Sequence, residues 1–156
     1  MSKDPAKSSI FAIKPRAMPL AFEAAAAQVV ELLQYYDFDV EAITDPKKKK
    51  TTLDQLNDVT VEFRKGTFEL KKNADGAPEV VQHLVASGSL KEITYAEFSG
   101  KIRVASDGKD MKTEMFGAVY QMLGALTGLG PGIVDLRGPD MKAAEALGNL
   151  FFTLMS

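Results

Sequence analysis

Residues Met115 to Val134 read MFGAVYQMLGALTGLGPGIV, which is twenty consecutive positions without a charged side chain. Glycines are dense in this segment: Gly117, Gly124, Gly128, Gly130 and Gly132. A segment that lacks charge and is short of bulky side chains belongs where water is excluded and another backbone comes close. The segment therefore predicts a helix in a core, at an interface or in a membrane, and the rest of the chain is interpreted around it.

The glycine spacing predicts one face of that helix. Gly117, Gly124 and Gly128 are separated by seven and four residues, which places them close together on a helix from about Asp110 to Leu129. Each glycine costs a helix about 0.5–1 kcal/mol relative to alanine, so three on one face indicate a compensating contact with a second backbone. That backbone belongs either to the same chain or to a neighbouring subunit.

A membrane span is not predicted. The sequence Gly130-Pro131-Gly132 ends the helix, and polar side chains at Tyr120, Gln121 and Thr127 lower the hydropathy of what remains. The remaining helix is shorter than the roughly 20 apolar residues that a bilayer requires.

Composition indicates a globular domain. The chain has 156 residues, of which 46% are apolar and 26% are charged, and these values are ordinary for one domain with one core. It contains no cysteine, which excludes disulfides, thiolate nucleophiles and thiolate metal ligands. Because the first residues do not resemble a secretory signal, a cytoplasmic location, or a place within a particle assembled there, is expected.

The N-terminal half predicts an arm followed by a helix and a hairpin. Residues 1–18 are expected to form an extended arm, and residues 19–156 a single domain. A helix opens at Pro19 because apolar residues then recur at three- and four-residue spacing. Residues 58–72 alternate apolar and polar side chains on both sides of Lys65-Gly66, which predicts a β-hairpin that places Phe63 opposite Phe68.

The second half predicts further helices and strands. Pro78 is expected to open a short helix, and residues 89–98 are compatible with a helix or a strand. The strand is favoured, paired through Ser99-Gly100 with residues 101–105. A last helix begins at Pro139 and runs to an apolar C-terminus. The expected fold class is α+β: a single domain with three to four helices packed on a small antiparallel sheet built from β-hairpins.

Charge is segregated along the chain. The formal net charge is −2, but residues 1–16 carry +3 and residues 47–72 carry +4, so the remainder is acidic. A basic stretch can contact phosphates, and the candidate polyanion-binding residues are Lys47, Lys48, Lys49, Lys50, Arg64 and Lys65. A pI near 5.5 is far below that of typical nucleic-acid-binding domains, so a nucleic-acid or other polyanion-binding module is an alternative interpretation only.

No catalytic constellation is found. His83 is the sole histidine and has no recognisable nucleophilic partner, so neither a catalytic residue nor a cofactor is predicted. Asp37, Asp39 and Glu41 would share one face of an extended exit from the first helix and could supply oxygen ligands. A small metal-dependent enzyme with an acidic site there is the second alternative, although the glycine and distal glutamate of a calcium loop are missing and no metal site is assigned.

The leading interpretation is a non-enzymatic structural or assembly subunit that makes protein–protein contacts, as a homo-oligomer or within a larger complex. A virion or tail-type component would fit this description. The interface candidates combine the glycine face, the apolar C-terminus and the arm: Gly117, Gly124, Gly128, Phe151, Phe152, Leu154, Ile10, Phe11 and Ile13.

Overall fold

The chain forms an amphipathic helix where its apolar spacing predicts one. This computed structural model describes residues 20–96 and 115–155, and for residues 115–118 and 155 it describes the backbone only. Helix α1 spans Phe22–Tyr35 and buries Ala25, Val29, Leu32 and Leu33. These residues lie three and four positions apart, so a single stripe of the helix faces the core.

The acidic segment after α1 forms a turn rather than the strand or extended exit predicted for it. Asp37 has a positive φ of 54°, and residues Val40–Ala42 form a short 3-10 helix. The carboxylate of Asp39 accepts a hydrogen bond from the backbone N–H of Glu41 at 2.9 Å. This local hydrogen bond favours a turn over an extended strand.

The predicted hairpin is wrong in its first half, because residues Pro46–Lys65 form the 20-residue helix α2. The lysine run lies in the first turns of this helix, which Asp45 caps by accepting from the Lys47 N–H at 3.0 Å. Pro46 occupies the first helical turn, where its missing N–H costs nothing. Gly66 ends the helix with a φ of 82°, a conformation that glycine adopts at little cost.

Replacing Asp45 with alanine is expected to lower the free energy of unfolding by about 1 kcal/mol, because the first turn of α2 loses its side-chain acceptor. Urea unfolding followed by circular dichroism measures this loss. Asp54→Ala on the exposed face of the same helix is the control, since the Asp54 side chain pairs with Lys50 at the surface. Because exposed pairs of this kind contribute little, the control is expected to lower the free energy of unfolding by less than about 0.5 kcal/mol. Equal costs at the two positions would contradict the capping role.

Three antiparallel strands follow in the order β1-β2-β3: Phe68–Lys72, Pro78–His83 and Glu92–Tyr95. A turn joins the first two, in which the Asn73 side chain accepts from the N–H groups of Asp75 and Ala77. The predicted helix from Pro78 is wrong. That segment is the central strand, and it lacks the usual alternation because Val80 and Val81 are both buried although they point to opposite faces.

The strand favoured for residues 89–98 is confirmed over Glu92–Tyr95. Its partner within the described residues is β2, with Val81 opposite Thr94. The predicted pairing with residues 101–105 lies outside the described residues.

The glycine-rich segment forms a helix as predicted, but the helix ends at Thr127 and not at Leu129. Helix α3 spans Met115–Thr127, and a 3-10 helix over Gly130–Asp135 follows the break. Helix α4 spans Gly138–Met155 and confirms the predicted C-terminal helix. The predicted start near Asp110 lies outside the described residues.

The fold is a single α+β domain. Helix α4 packs against both α2 and α3, and α1 packs against α2, while α1, α2 and α3 each contact a strand of the sheet. Phe63 of α2 does contact Phe68 of β1, with ring centroids 5.6 Å apart, but it does so as a helix residue meeting a strand. Within residues 20–96 and 115–155, no helix combines the length and the apolarity needed to cross a bilayer.

Candidate functional site

The glycine face of α3 is occupied within the chain at its centre. A Cβ atom added to Gly124 would lie 2.5 Å from the carbonyl oxygen of Gly130, so the helix and the segment after it are in backbone contact. Gly128 serves a different purpose, since its φ of 76° turns the chain at the helix end and no atom lies within 4 Å of its added Cβ. Gly117 lies in α3, and its surroundings are outside the described residues.

A predominantly apolar groove lies beside this glycine contact, and we call it the α3 groove. Its volume is about 620 Å³, and its lining residues are Tyr120, Gln121, Ala125, Gly130, Pro131, Ile133 and Val134. Ile133 is buried in its floor, whereas Val134 is 61% exposed. The groove therefore offers apolar surface to an external group.

A hydrogen bond between α3 and α4 fixes one side of the groove. The Tyr120 hydroxyl donates to the Glu145 carboxylate, with an O–O distance of 2.5 Å. This hydrogen bond, with a contribution from burial and from the glutamate charge, raises the pKa of Tyr120. The phenol therefore remains a neutral donor and not a reactive phenolate, so the pair is suited to positioning the helices.

A buried carboxylate at the start of α4 holds the loop after β2, and sequence reasoning missed it. Asp140 is 2% exposed. Its oxygens accept from the N–H groups of Val85 and Ala86 at 2.8 and 2.7 Å and from the Ser87 hydroxyl at 2.7 Å. Three donors on one buried carboxylate compensate for its removal from water. The loop is thereby fixed with Val85 pointing outward at 64% exposure.

Two further buried polar groups complete this network. The Tyr95 hydroxyl donates to the Gln82 side-chain oxygen at 2.6 Å, and the Gln82 amide donates to the Asp140 backbone carbonyl at 2.8 Å. Burial, with a contribution from the Asp140 charge, raises the pKa of Tyr95. Every group is satisfied and enclosed, so the network supports the fold and exposes no reactive atom.

The lysine candidates do not form one basic patch. Successive residues of a helix are rotated by about 100°, so Lys47 to Lys50 point around α2 in different directions. Lys49 pairs with Glu41 at 3.2 Å and Lys50 pairs with Asp54 at 3.1 Å. Of the two distal candidates, Lys65 pairs with Glu62 at 3.4 Å, and Arg64 donates to the Leu20 carbonyl at 3.5 Å. This neutralisation weakens the polyanion-binding interpretation.

The acidic candidates are also engaged locally. Asp39 accepts from a backbone amide, and Glu41 pairs with Lys49. Asp37 lies in the turn with a positive φ, so the three residues do not form the extended segment that would place them on one face. In the part of the chain that the structure describes, no group of three or more His, Asp or Glu side chains is arranged to hold a metal ion.

The C-terminal candidates belong largely to the core. Phe151 is 2% exposed and its ring lies 6.5 Å from that of Tyr36, so it faces the interior. Phe152 and Leu154 are partly buried against the same core. The arm candidates Ile10, Phe11 and Ile13 lie outside the described residues. The α3 groove therefore remains as the apolar concavity that is open to another molecule.

Comparison with protein-family models, with curated proteins and with solved structures finds no match for this chain.

Proposed function

We propose that this protein is a non-enzymatic assembly subunit that binds another protein chain through the α3 groove. The observation that carries the proposal is the groove itself, an apolar concavity of about 620 Å³ with the exposed Val134 on its rim. Exposed apolar surface of this kind costs solvation free energy unless a partner covers it.

The groove is built to receive a partner without rearranging. The backbone contact of Gly124 with Gly130 fixes one wall, and the Tyr120–Glu145 hydrogen bond fixes the neighbouring helices. A preorganised site loses little conformational entropy when it binds, which increases affinity for a given buried area. An apolar side chain of the partner would enter the groove as an anchor residue.

The polyanion-binding alternative has weaker support, because three of its six candidate cations are paired with carboxylates of the same chain. For the metal-dependent alternative, Asp39 and Glu41 already serve a backbone amide and a lysine. Assembly through an apolar surface requires neither a concentrated basic patch nor a free acidic site.

Replacing Val134 with aspartate is expected to weaken association at least tenfold, because a carboxylate would have to lose its water in the contact, at a cost of about 1.4 kcal/mol or more. Light scattering over a range of concentrations measures self-association, and titration with a purified partner measures binding to another chain.

Val85→Asp is the matched control. Val85 is 64% exposed, close to the 61% of Val134, but it lies in the loop after β2 that Asp140 holds and does not line the groove. It is expected to leave association unchanged, and circular dichroism establishes that both variants fold. A wild-type protein that stays monomeric and binds no partner would contradict the proposal. So would equal effects of the two variants.

A further inference from the structure

His83 lies between two carboxylates on the outer face of the sheet. Its Nε2 atom is 2.9 Å from Oε1 of Glu69 on β1, and its Nδ1 atom is 3.6 Å from Oε2 of Glu92 on β3. The register explains this arrangement, because Glu92 is directly opposite His83 and Glu69 is its diagonal neighbour on the other side. One imidazole thus spans all three strands.

The two ring nitrogens differ in how well they are satisfied. The first distance is that of a hydrogen bond, whereas 3.6 Å is too long for one. Nδ1 is buried and has no hydrogen-bond partner among the described residues. A neutral imidazole has a single N–H, so donation to Glu69 from Nε2 leaves a lone pair at Nδ1 facing the Glu92 carboxylate.

We propose that His83 is a proton-dependent link between the three strands. When the ring takes up a second proton, Nδ1–H donates to Glu92 while Nε2–H donates to Glu69, so one imidazolium binds carboxylates of both outer strands. The link requires Glu92 to approach by about 0.7 Å to reach ordinary hydrogen-bond length. It satisfies the buried Nδ1 and removes the repulsion between its lone pair and the carboxylate.

The surrounding charges leave both carboxylates available to the ring. Lys71 and Glu79 lie on the outer face of the sheet, where they are opposite each other in the register of β1 and β2. The Lys91 ammonium donates to the Gly88 carbonyl at 3.1 Å. On the inner face, the helices meet the sheet through apolar contacts such as Phe63 with Phe68. Within the described residues, the ionisable groups recorded against the ring are Glu69 and Glu92.

A metal ion would not use this arrangement. The two carboxylates face different nitrogens of the ring, so no single position between them contacts both carboxylates and one nitrogen. This agrees with the finding that the described residues contain no three-ligand metal group. A proton is the species that can occupy Nδ1 while Nε2 remains bound to Glu69.

The experiment compares the melting temperatures of wild type, His83→Gln and Glu92→Gln at pH 8 and pH 5.5, a range in which histidines change charge. Because the folded state gains a hydrogen bond with the proton, stability relative to His83→Gln should rise as the pH falls. We expect this relative melting temperature to rise by roughly 2–4 °C, the shift typical of one such bond in a chain of this size. Glu92→Gln should lose about half of the rise, since one of the two charged acceptors is gone.

Glu79→Gln is the control, because it removes a carboxylate from the same face without touching the ring, and it should retain the full rise. His83 is the only histidine of the chain, so the ¹⁵N signals of its imidazole require no further assignment. At pH 5.5 we expect a slowly exchanging Nδ1–H in wild type that exchanges faster in Glu92→Gln. A pH-independent difference between wild type and His83→Gln would overturn the proposal. If His83→Gln does not fold, identical Nδ1–H exchange in wild type and Glu92→Gln would overturn it instead.

Discussion

Replacing Asp140 with alanine is expected to lower the free energy of unfolding by about 3–5 kcal/mol, because several buried or half-buried donors lose their shared charged acceptor at once. The substitution leaves two backbone N–H groups, those of Val85 and Ala86, and the Ser87 hydroxyl without their acceptor. A buried donor that loses its partner costs about 1–3 kcal/mol, and two of these donors belong to the backbone and cannot turn away.

Urea unfolding measures this loss, and Asp135→Ala provides the matched control. Asp135 is exposed and precedes the same helix, and its backbone carbonyl keeps its bond to Arg137 when the side chain is shortened. We expect the control to change stability by less than about 0.5 kcal/mol. Ser87→Ala, which removes one of the three donors together with its hydrogen bond, should cost about 1 kcal/mol. An Asp140→Ala protein as stable as the control would refute the anchoring role.

Replacing Gly124 with alanine is expected to destabilise the chain by about 2 kcal/mol or more, although alanine is the better helix former by about 1 kcal/mol. The added Cβ would lie 2.5 Å from the Gly130 carbonyl oxygen and 3.0 Å from its carbon, and both are backbone atoms. Relief of this overlap requires the 3-10 helix to move away from α3. Gly124→Leu is expected to prevent folding.

Gly148→Ala is the informative comparison. Its added Cβ would meet Val119 Cγ1 at 2.9 Å and Leu123 Cδ1 at 3.1 Å, so the crossing of α4 with α3 is also tight. These neighbours are side-chain atoms that can shift, and the gain in helix propensity offsets part of the strain, so we expect a net change within about 1 kcal/mol. Chemical unfolding of both variants gives the two values. A larger loss at Gly148 than at Gly124 would contradict the importance of the backbone contact.

Much of the helical part of the fold could be predicted from the sequence, because helices with one buried stripe keep their spacing. The spacing of the apolar residues identifies α1, and Gly130-Pro131-Gly132 places the end of α3 close to its observed end at Thr127. Helix α2 was missed because Val59 and Phe63 fit two patterns at once: they alternate with polar residues, and they are also four residues apart. The distinguishing residue is Val61, which would share their face in a strand but is 41% exposed in the helix.

The central strand β2 could not be recognised by alternation. Val80, Val81 and Gln82 are buried in succession in this central strand, and such a run resembles a helical stripe over a short length. Pro78 follows the Asn73 turn directly, and a proline in that place is also typical of a helix start, so it favoured a helix where the structure has a strand.

The candidate site was located in part. The glycine-rich segment contributes residues to the α3 groove, and Gly124 has the close backbone neighbour that its cost to the helix implies. The other members are joined across long separations: Tyr120 to Glu145, and Asp140 to the loop after β2. Local patterns of one sequence do not encode such pairings. His83 was placed on a helix, so the two carboxylates beside it could not be foreseen.

The edge of the sheet at β1 bears on how copies of this chain could come together. An unpaired strand edge can recruit a strand of another molecule, which leads to open-ended stacking and aggregation. Within the described residues β1 is an edge strand of five residues that ends in Lys71 and Lys72, and charged lysines at a short edge oppose such stacking. Addition of a strand from a second molecule at β1 is thereby disfavoured, so contacts between copies of this chain would have to use side-chain surfaces and not the backbone of this strand.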